Sequence, residues 1–366
     1  MNNNYKLKKI AEELIGMPLS KFSSSQSKLK NHSKNNRLYY VVANDNKEYA
    51  LKSYSKNELH ESNRLNVEFD SLNYLFNYGN FNIPRPIARS AKENCGIYSW
   101  INGEKVNNIC EKDIYQVVNF IEQLYILSEK KDSFNLPNAK ESCFSADVMV
   151  RQIISRYNLL NKVSPFYNEL SEFLRYDFEP LLTPLLNLTK DNYRNLNLDF
   201  NNEINNKFKI LSPSDFGFHN SIRNYNGKLF FIDFEYFGWD DPAKLVGDFL
   251  LHPAIEDINF LISEWKLFYK LILNTFKDDD KFSVRLLLNL PLLSMRWSLI
   301  LLNEFLQNNW ERRVFSGEKK LRTTILKNQL KKARKYTRLV RWSINNDKKN
   351  FLSENYIDNF YLKSFN

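Results

Sequence analysis

Leu211-Ser-Pro-Ser-Asp-Phe-Gly-Phe-His-Asn-Ser-Ile222, with the run Phe230-Phe-Ile-Asp-Phe-Glu235 that follows it, decides how the chain reads. The carboxylate of Asp215 is followed five residues later by the amide of Asn220, and thirteen further on by Asp233 at the end of an apolar β run. Asn224-Tyr-Asn-Gly227 between them has turn chemistry, so two short strands return on each other and gather the three polar groups. Phosphoryl transfer needs such a set: one carboxylate to orient a hydroxyl and take its proton, and oxygen ligands to hold Mg2+ against phosphates. On this reading Asp215 is the base, and Asn220 and Asp233 are the metal ligands.

Upstream, Leu38-Tyr-Tyr-Val-Val42 and Tyr49-Ala-Leu-Lys-Ser-Tyr54 flank the turn Asn44-Asp-Asn46, which predicts a β-hairpin. From Glu61 to Phe76, Leu65, Phe69, Leu72, Leu75 and Phe76 recur at spacings of three and four, a helix with Glu68 beside its apolar face. Ile83-Pro-Arg-Pro86 is extended, Gly96 to Ile101 reads as a strand, and Asn102-Gly103 turns it. Beyond that turn Ile114, Val117, Val118, Ile121, Leu124 and Tyr125 form one helical stripe with Asp113 as a cap. Helices are expected to about Leu188 and again after Ile258. The predicted organisation is α+β: a β-rich lobe over residues 1–102, a mainly helical lobe over 103–345, and a polar tail over 346–366 that frays.

Composition narrows the class. A chain of 366 residues, 43% hydrophobic and 26% charged, has material for a large buried core. Three cysteines, Cys95, Cys110 and Cys143, form no CxxC pair and fit a reducing compartment. The start, Met1-Asn-Asn-Asn-Tyr-Lys-Leu, lacks an apolar signal core, and the most apolar stretch, Leu286 to Leu302, is broken by Asn289, Pro291 and Arg296. No membrane span is expected, and the protein reads as cytoplasmic. Much of the net charge of +10 lies between Lys319 and Arg341, where a solvated helix face accounts for it, so a nucleic-acid partner is not expected. Nothing in the sequence signals an oligomeric state.

Pro213-Ser-Asp215 through Asn220, then Asp233-Phe-Glu235, resembles the aminoglycoside phosphotransferase and choline kinase superfamily, whose members show H-G-D-x-x-x-x-N and then D-F-E or D-x-D. The resemblance implies a two-lobed protein-kinase-like fold, ATP and Mg2+ as cofactors, and a small-molecule hydroxyl acceptor such as an amino alcohol, a sugar or an aminoglycoside. It implies that Lys52, in Tyr49-Ala-Leu-Lys52, touches the α- and β-phosphates and that Glu68 is its ion-pair partner. Taken singly, each of these two also reads as solvated surface. Ser99, Trp100 and Ile101 would line the adenine, and Asp248 would support the catalytic loop. Pro213 and Ser214 stand where the family has His and Gly, and Pro213 has no side-chain donor. The expected phosphate-covering segments, Ser23 to Ser27 and Lys34 to Arg37, contain no glycine. Glu235, Trp239 and Asp240, with Glu304 on a later helix, are acceptor candidates, because an aromatic beside a carboxylate suits an amine or quaternary ammonium. Such aromatics read equally as core. A nucleotide-binding pseudokinase with a scaffolding role is the alternative function.

Overall fold

The computed structural model describes residues 3–24, 36–55, 64–79, 81–258, 260–346, 358–360 and 362–363. Residues 25–35, most of the expected phosphate-covering segments, and 61–63, the expected start of the second helix, lie outside them. In chain order come α1 (Asn3–Ile15), β1 (Leu19–Ser24), β2 (Asn36–Ala43), β3 (Glu48–Tyr54), α2 (Arg64–Tyr78), β4 (Pro86–Ser90), β5 (Cys95–Ser99) and β6 (Glu104–Lys105). α3 (Glu111–Ser128), α4 (Ala146–Val163), α5 (Asn168–Glu172), α6 (Glu179–Asn195), β7 (Ile210–Ser212), β8 (Ser221–Arg223), β9 (Leu229–Phe231) and β10 (Gly238–Asp240) follow. The chain ends with α7 (Pro242–Leu251), α8 (Ile262–Thr275), α9 (Phe282–Ile300), α10 (Gln307–Phe315) and α11 (Arg322–Asn346). These elements pack into two compact units.

The first unit holds Met1–Val106, Asn220–Phe237 and Asn308–Lys319, so two segments from the 103–345 range join the β-rich part. Its sheet is antiparallel in the order β1-β2-β3-β5-β4. The β2–β3 hairpin forms where predicted, turned by Asn46 at φ 64, a left-handed position that Asn tolerates. The sequence reading had no helix at the start, yet α1 buries Leu7, Ile10 and Ala11 against Val41, Leu51 and Ile97 of the sheet. With α1 in place, β3 is buried on both faces: Leu51 is fully covered and Lys52 is only 7% exposed. The β8–β9 hairpin enters this unit through β6, with Glu104 opposite Arg223 and Lys105 opposite Ile222. The amide of Phe231 donates to Asn82 O at 3.0 Å.

In the second unit, Asn107–His219, Gly238–Gln307 and Lys320–Asn366, helices α4, α6, α7 and α11 pack on α9. The chain from Phe282 to Phe305 is long and apolar enough to cross a membrane, but 83% of that window is buried inside the unit, and core packing accounts for its composition. On this helix the buried Asn289 side chain accepts from Tyr193 Oη at 3.0 Å. The tail differs from the fraying expected of it at Phe360, which is 2% exposed and packs on the Trp342 ring.

Helix α7 opens on Asp241-Pro242. Asp241 Oδ1 caps it by accepting the Ala243 N–H at 2.8 Å, and Pro242 takes a position where no N–H is needed. Arg285 on α9 donates to Asp241 at 3.2 Å and to Asp279 at 2.8 Å, and all three side chains are buried. Removing the one cation leaves two buried carboxylates uncompensated. Arg285→Met is expected to lower stability by about 3–5 kcal/mol, read as a shift of the urea denaturation midpoint.

Candidate active site

In the first unit the site is built around Lys52. Its register on β3, opposite Leu38 of β2 and Gly96 of β5, points the side chain to the face where α2 lies, away from the α1 core. Lys52 Nζ donates to Glu68 Oε2 at 2.6 Å and to Asp233 Oδ1, and Glu235 Oε2 is 3.5 Å away. Tyr54 Oη also donates to Glu68, at 2.6 Å, and meets Tyr98 Oη at 2.8 Å. Glu235 is gripped on its other side by Asn36 Nδ2 at 2.6 Å and Arg64 Nη1 at 3.4 Å. Burial opposes the Lys52 charge, but Asp233, Glu68 and Glu235 overcome it and hold the ammonium well above its ordinary range. Burial likewise works against ionisation of Glu235, and Lys52 and Arg64 keep its carboxyl low.

The β8–β9 hairpin sets Asn220 and Asp233 beside each other. Ser221 pairs with Phe231, and the ladder runs one step further as the Ile232 N–H donates to Asn220 O at 2.9 Å. Asp233 is the next residue, and it has φ 71, a left-handed conformation that costs a residue with a Cβ roughly 1–2 kcal/mol. Strain of this kind concentrates where a side chain has to be aimed. Burial, with Glu235 and Glu68 close by, pushes the Asp233 carboxyl up to about 7 against the pull of Lys52. Glu68, Asp233 and Glu235 each place a carboxylate oxygen within 4.8 Å of the others. Among the described residues three carboxylates face the two cations Lys52 and Arg64, a set of oxygen donors whose chemistry suits a divalent cation.

The second unit carries Asp215 on the loop after β7. Leu211 N–H donates to Ser128 Oγ at 2.8 Å, and Ser212 pairs with Gly238 of β10. A Cβ on Gly238 would lie 2.3 Å from Pro137 O, so only glycine lets the 137–139 segment pair beside Trp239. Ser214 has φ 67, and around it the Asp215 N–H closes a three-residue turn onto Pro213 O at 2.9 Å. The Ser214 hydroxyl donates to Lys140 O at 2.9 Å. Phe216 then stacks on Phe120, and Phe218 packs on Phe249, fixing the loop from one side. On the other side the His219 ring folds over Gly217, where a Cβ would meet Nδ1 at 2.8 Å. His219 Nε2 lies 3.1 Å from Asp215 Oδ1 and His252 Nε2 lies 3.4 Å from it. Burial would raise the Asp215 carboxyl, but His219 and His252 hold it well below the usual carboxylate range.

The remaining predicted residues are placed as follows. Ser99 and Trp100 spend their N–H groups on Arg85 O at 2.8 Å and Glu48 O at 3.2 Å, and the Trp100 ring meets Tyr40 edge-on. Ile101 follows, half-buried, after the end of β5. Asp248 is bound by Lys244 at 3.0 Å, by Trp297 Nε1 at 2.9 Å and by Arg296 at 3.6 Å, which are side chains of α7 and α9, not catalytic-loop backbone. Three of the acceptor candidates are internal. Asp240 is fully buried, with Oδ2 on Lys244 at 2.7 Å and Oδ1 accepting the Cys143 N–H at 3.0 Å. Trp239 is 9% exposed, stacks on Phe134 and donates its Nε1–H to Ser133 O. Glu235 belongs to the Lys52 cluster. Glu304, in a short 3-10 turn, is half-buried, and its backbone O accepts from Arg322. The spacing that suggested a cationic acceptor pocket at 235–240 thus arises from buried ion pairs and aromatic core.

Sequence reasoning missed Arg64 and His252, whose partners Glu235 and Asp215 lie far along the chain, and Lys244, which pairs one helical turn away with Asp240 and Asp248, and it gave His219 only a loop contact. The one signal available was scarcity: the chain has four histidines, and two of them meet Asp215.

Lys52→Met is expected to destabilise the first unit, because among the described residues Arg64 is then the cation left beside Glu68, Asp233 and Glu235. The Asp233 carboxyl, raised by burial and by Glu235 and Glu68 against the pull of Lys52, loses that pull in the variant, so the folded variant favours its protonated form more strongly and stability is lost as pH rises and it ionises. The melting-temperature deficit of the variant against wild type should therefore be larger at pH 8 than at pH 5. An equal deficit at both would show that the lysine is not neutralising them.

No family model matches the chain, and no curated protein matches it. Solved structures do. Spectinomycin phosphotransferase, APH(9)-Ia, in complex with ADP and spectinomycin, superposes with TM-score 0.56 at 13% identity, covering 89% of this chain and 98% of that one. The choline kinase LicA from Streptococcus pneumoniae gives 0.52 at 16% identity, covering 91% and 99%. A Plasmodium vivax ethanolamine kinase gives 0.52 at 16%, covering 86% and 82%. The antiparallel sheet followed by a helical part, over nearly the full length of these chains, is the protein-kinase-like fold that the aminoglycoside phosphotransferases and the choline and ethanolamine kinases share.

Proposed function

We propose that the protein is an ATP- and Mg2+-dependent phosphotransferase that moves the γ-phosphate to a hydroxyl of a small molecule, such as an amino alcohol, a sugar or an aminoglycoside-like compound. The observation that carries this reading is the buried Lys52 ammonium bonded to both Glu68 on α2 and Asp233 at the end of β9. A lysine fixed between a helix glutamate and a strand-end aspartate is aimed at the α- and β-phosphates of a nucleotide. Asp233 and Asn220 hold Mg2+, which when bound neutralises charge on the phosphates. Asp215 accepts the proton of the acceptor hydroxyl as its oxygen bonds to the γ-phosphorus and the bond to the β–γ bridging oxygen breaks, releasing ADP. The depressed carboxyl of Asp215 keeps it ionised, the state in which it accepts. The similarity to choline and ethanolamine kinases and to aminoglycoside phosphotransferases supports a small acceptor, and Glu304 is the remaining carboxylate candidate for a cationic one.

Screening hydroxyl compounds for Mg2+-dependent ADP release tests the reading. With any acceptor so found, Asp215→Asn is expected to lower kcat by roughly 10²–10⁴-fold while ATP binding by calorimetry is kept. Nucleotide binding with no transfer to any acceptor would favour the pseudokinase instead.

Asp233 gives a second test. Its carboxyl is raised in the folded state from the ordinary 3.8 to about 7, so the metal-free protein is fully favoured below the lower value and loses that stabilisation as pH rises through the upper one. A bound cation offsets that loss only where the carboxyl is ionised. The melting-temperature gain on adding MgATP should be larger at pH 8 than at pH 5.5, and Asp233→Asn should flatten the difference.

A further inference from the structure

His252 lies 37 residues beyond Asp215 in sequence, at the end of α7, yet its imidazole reaches the same carboxylate oxygen as His219. Its state is fixed by what its other nitrogen does. Pro253 has no N–H, so the first amide of the following short 3-10 segment is that of Ala254, and it donates to His252 Nδ1 at 3.2 Å. A nitrogen that accepts a backbone N–H carries a lone pair, so the ring proton sits on Nε2, the atom 3.4 Å from Asp215 Oδ1.

The ring has little freedom to turn away. It stacks on His219 with centroids 3.6 Å apart and planes 5° from parallel, and Trp297 packs edge-on at 5.0 Å. Trp297 is held by its Nε1–H to Asp248, which is paired with Lys244. Asp248 thus bears on the His252 ring through Trp297.

Asp215, His219 and His252 also have the composition of a metal site. Metal–imidazole bonds are about 2.0–2.1 Å and run along in-plane lone pairs. Two parallel stacked rings cannot converge on one ion without its standing out of both planes, and in His252 that lone pair is replaced by N–H. Hydrogen-bond donation fits the geometry and ligation does not.

We infer that His252 is a positioning residue for the base: as a neutral imidazole it donates Nε2–H to Asp215 and, with His219, fixes the orientation of that carboxylate. This rests on Asp215 being the base, as proposed above. Because it acts through Asp215, its effect is expected on kcat and not on nucleotide KM.

Two measurements on the full chain test it. With 15N-labelled histidine, long-range 1H–15N correlation reads the tautomer of each of the four histidines, and His252→Gln assigns the signal. Protonation at Nε2 with a bare Nδ1 is expected; protonation at Nδ1, or at both nitrogens at neutral pH, overturns the inference. In the second, Mg2+-dependent ADP release from ATP with water as acceptor is compared among wild type, His252→Gln, His252→Leu and Asp215→Asn. His252→Leu, which has no donor, should lose roughly 10²-fold in kcat at unchanged KM for ATP, whereas His252→Gln, whose amide N–H replaces Nε2–H, should recover most of it. Equal losses in both variants would mean the ring is needed only for packing and would sink the proposal. An inactive Asp215→Asn beside a fully active His252→Leu overturns the inference alone, while an Asp215→Asn as active as wild type overturns the base assignment and this inference with it.

Discussion

The first unit is organised by one buried ammonium. Lys52 is 7% exposed and cannot be hydrated, so its charge persists only because Glu68, Asp233 and Glu235 surround it. Those partners come from a helix and from the hairpin beyond β9, and Asn36 of β2 and Arg64 of α2 complete the shell. Every element that contributes a group is thereby tied to the others. A half-satisfied network of this kind is worse than an apolar core, which makes the cluster sensitive to any single loss.

The second unit solves a different problem, holding one carboxylate at a defined angle on a loop. The loop is pinned by alternation: Phe216 and Phe218 enter the core while Asp215, Gly217 and His219 face the other way. Ser214 adopts a left-handed conformation that glycine would take without strain, and its hydroxyl bond to Lys140 O offsets part of the cost. Pro213 offers no donor to the carboxylate. The donors come instead from His219 within the loop and His252 at the end of α7.

Much of this was legible in the sequence. The turn between Asn220 and Asp233 signalled that a β-hairpin would set those two residues beside each other, because strand register follows from turn position and a period of two. The β2–β3 hairpin and α2 could be read from apolar periodicity alone. The acceptor-side candidates went astray for a physical reason: Trp239 and Asp240 look alike in sequence whether a carboxylate faces solvent or a buried lysine, and Lys244, one helical turn on, takes the charge. Helix α1 escaped notice because its apolar stripe is short and set among Asn and Lys, and it is the sheet beneath that makes it worth burying.

By itself, then, the sequence determined the β2–β3 hairpin, helix α2 and the short hairpin that carries Asn220 and Asp233, since these follow from local pattern. The pairing of charges over long separations was decided only in three dimensions: Lys52 with Asp233, Arg64 with Glu235, Asp215 with His252. Each is a contest between desolvation and attraction, and which side prevails depends on burial and distance, quantities that exist only once the chain has folded.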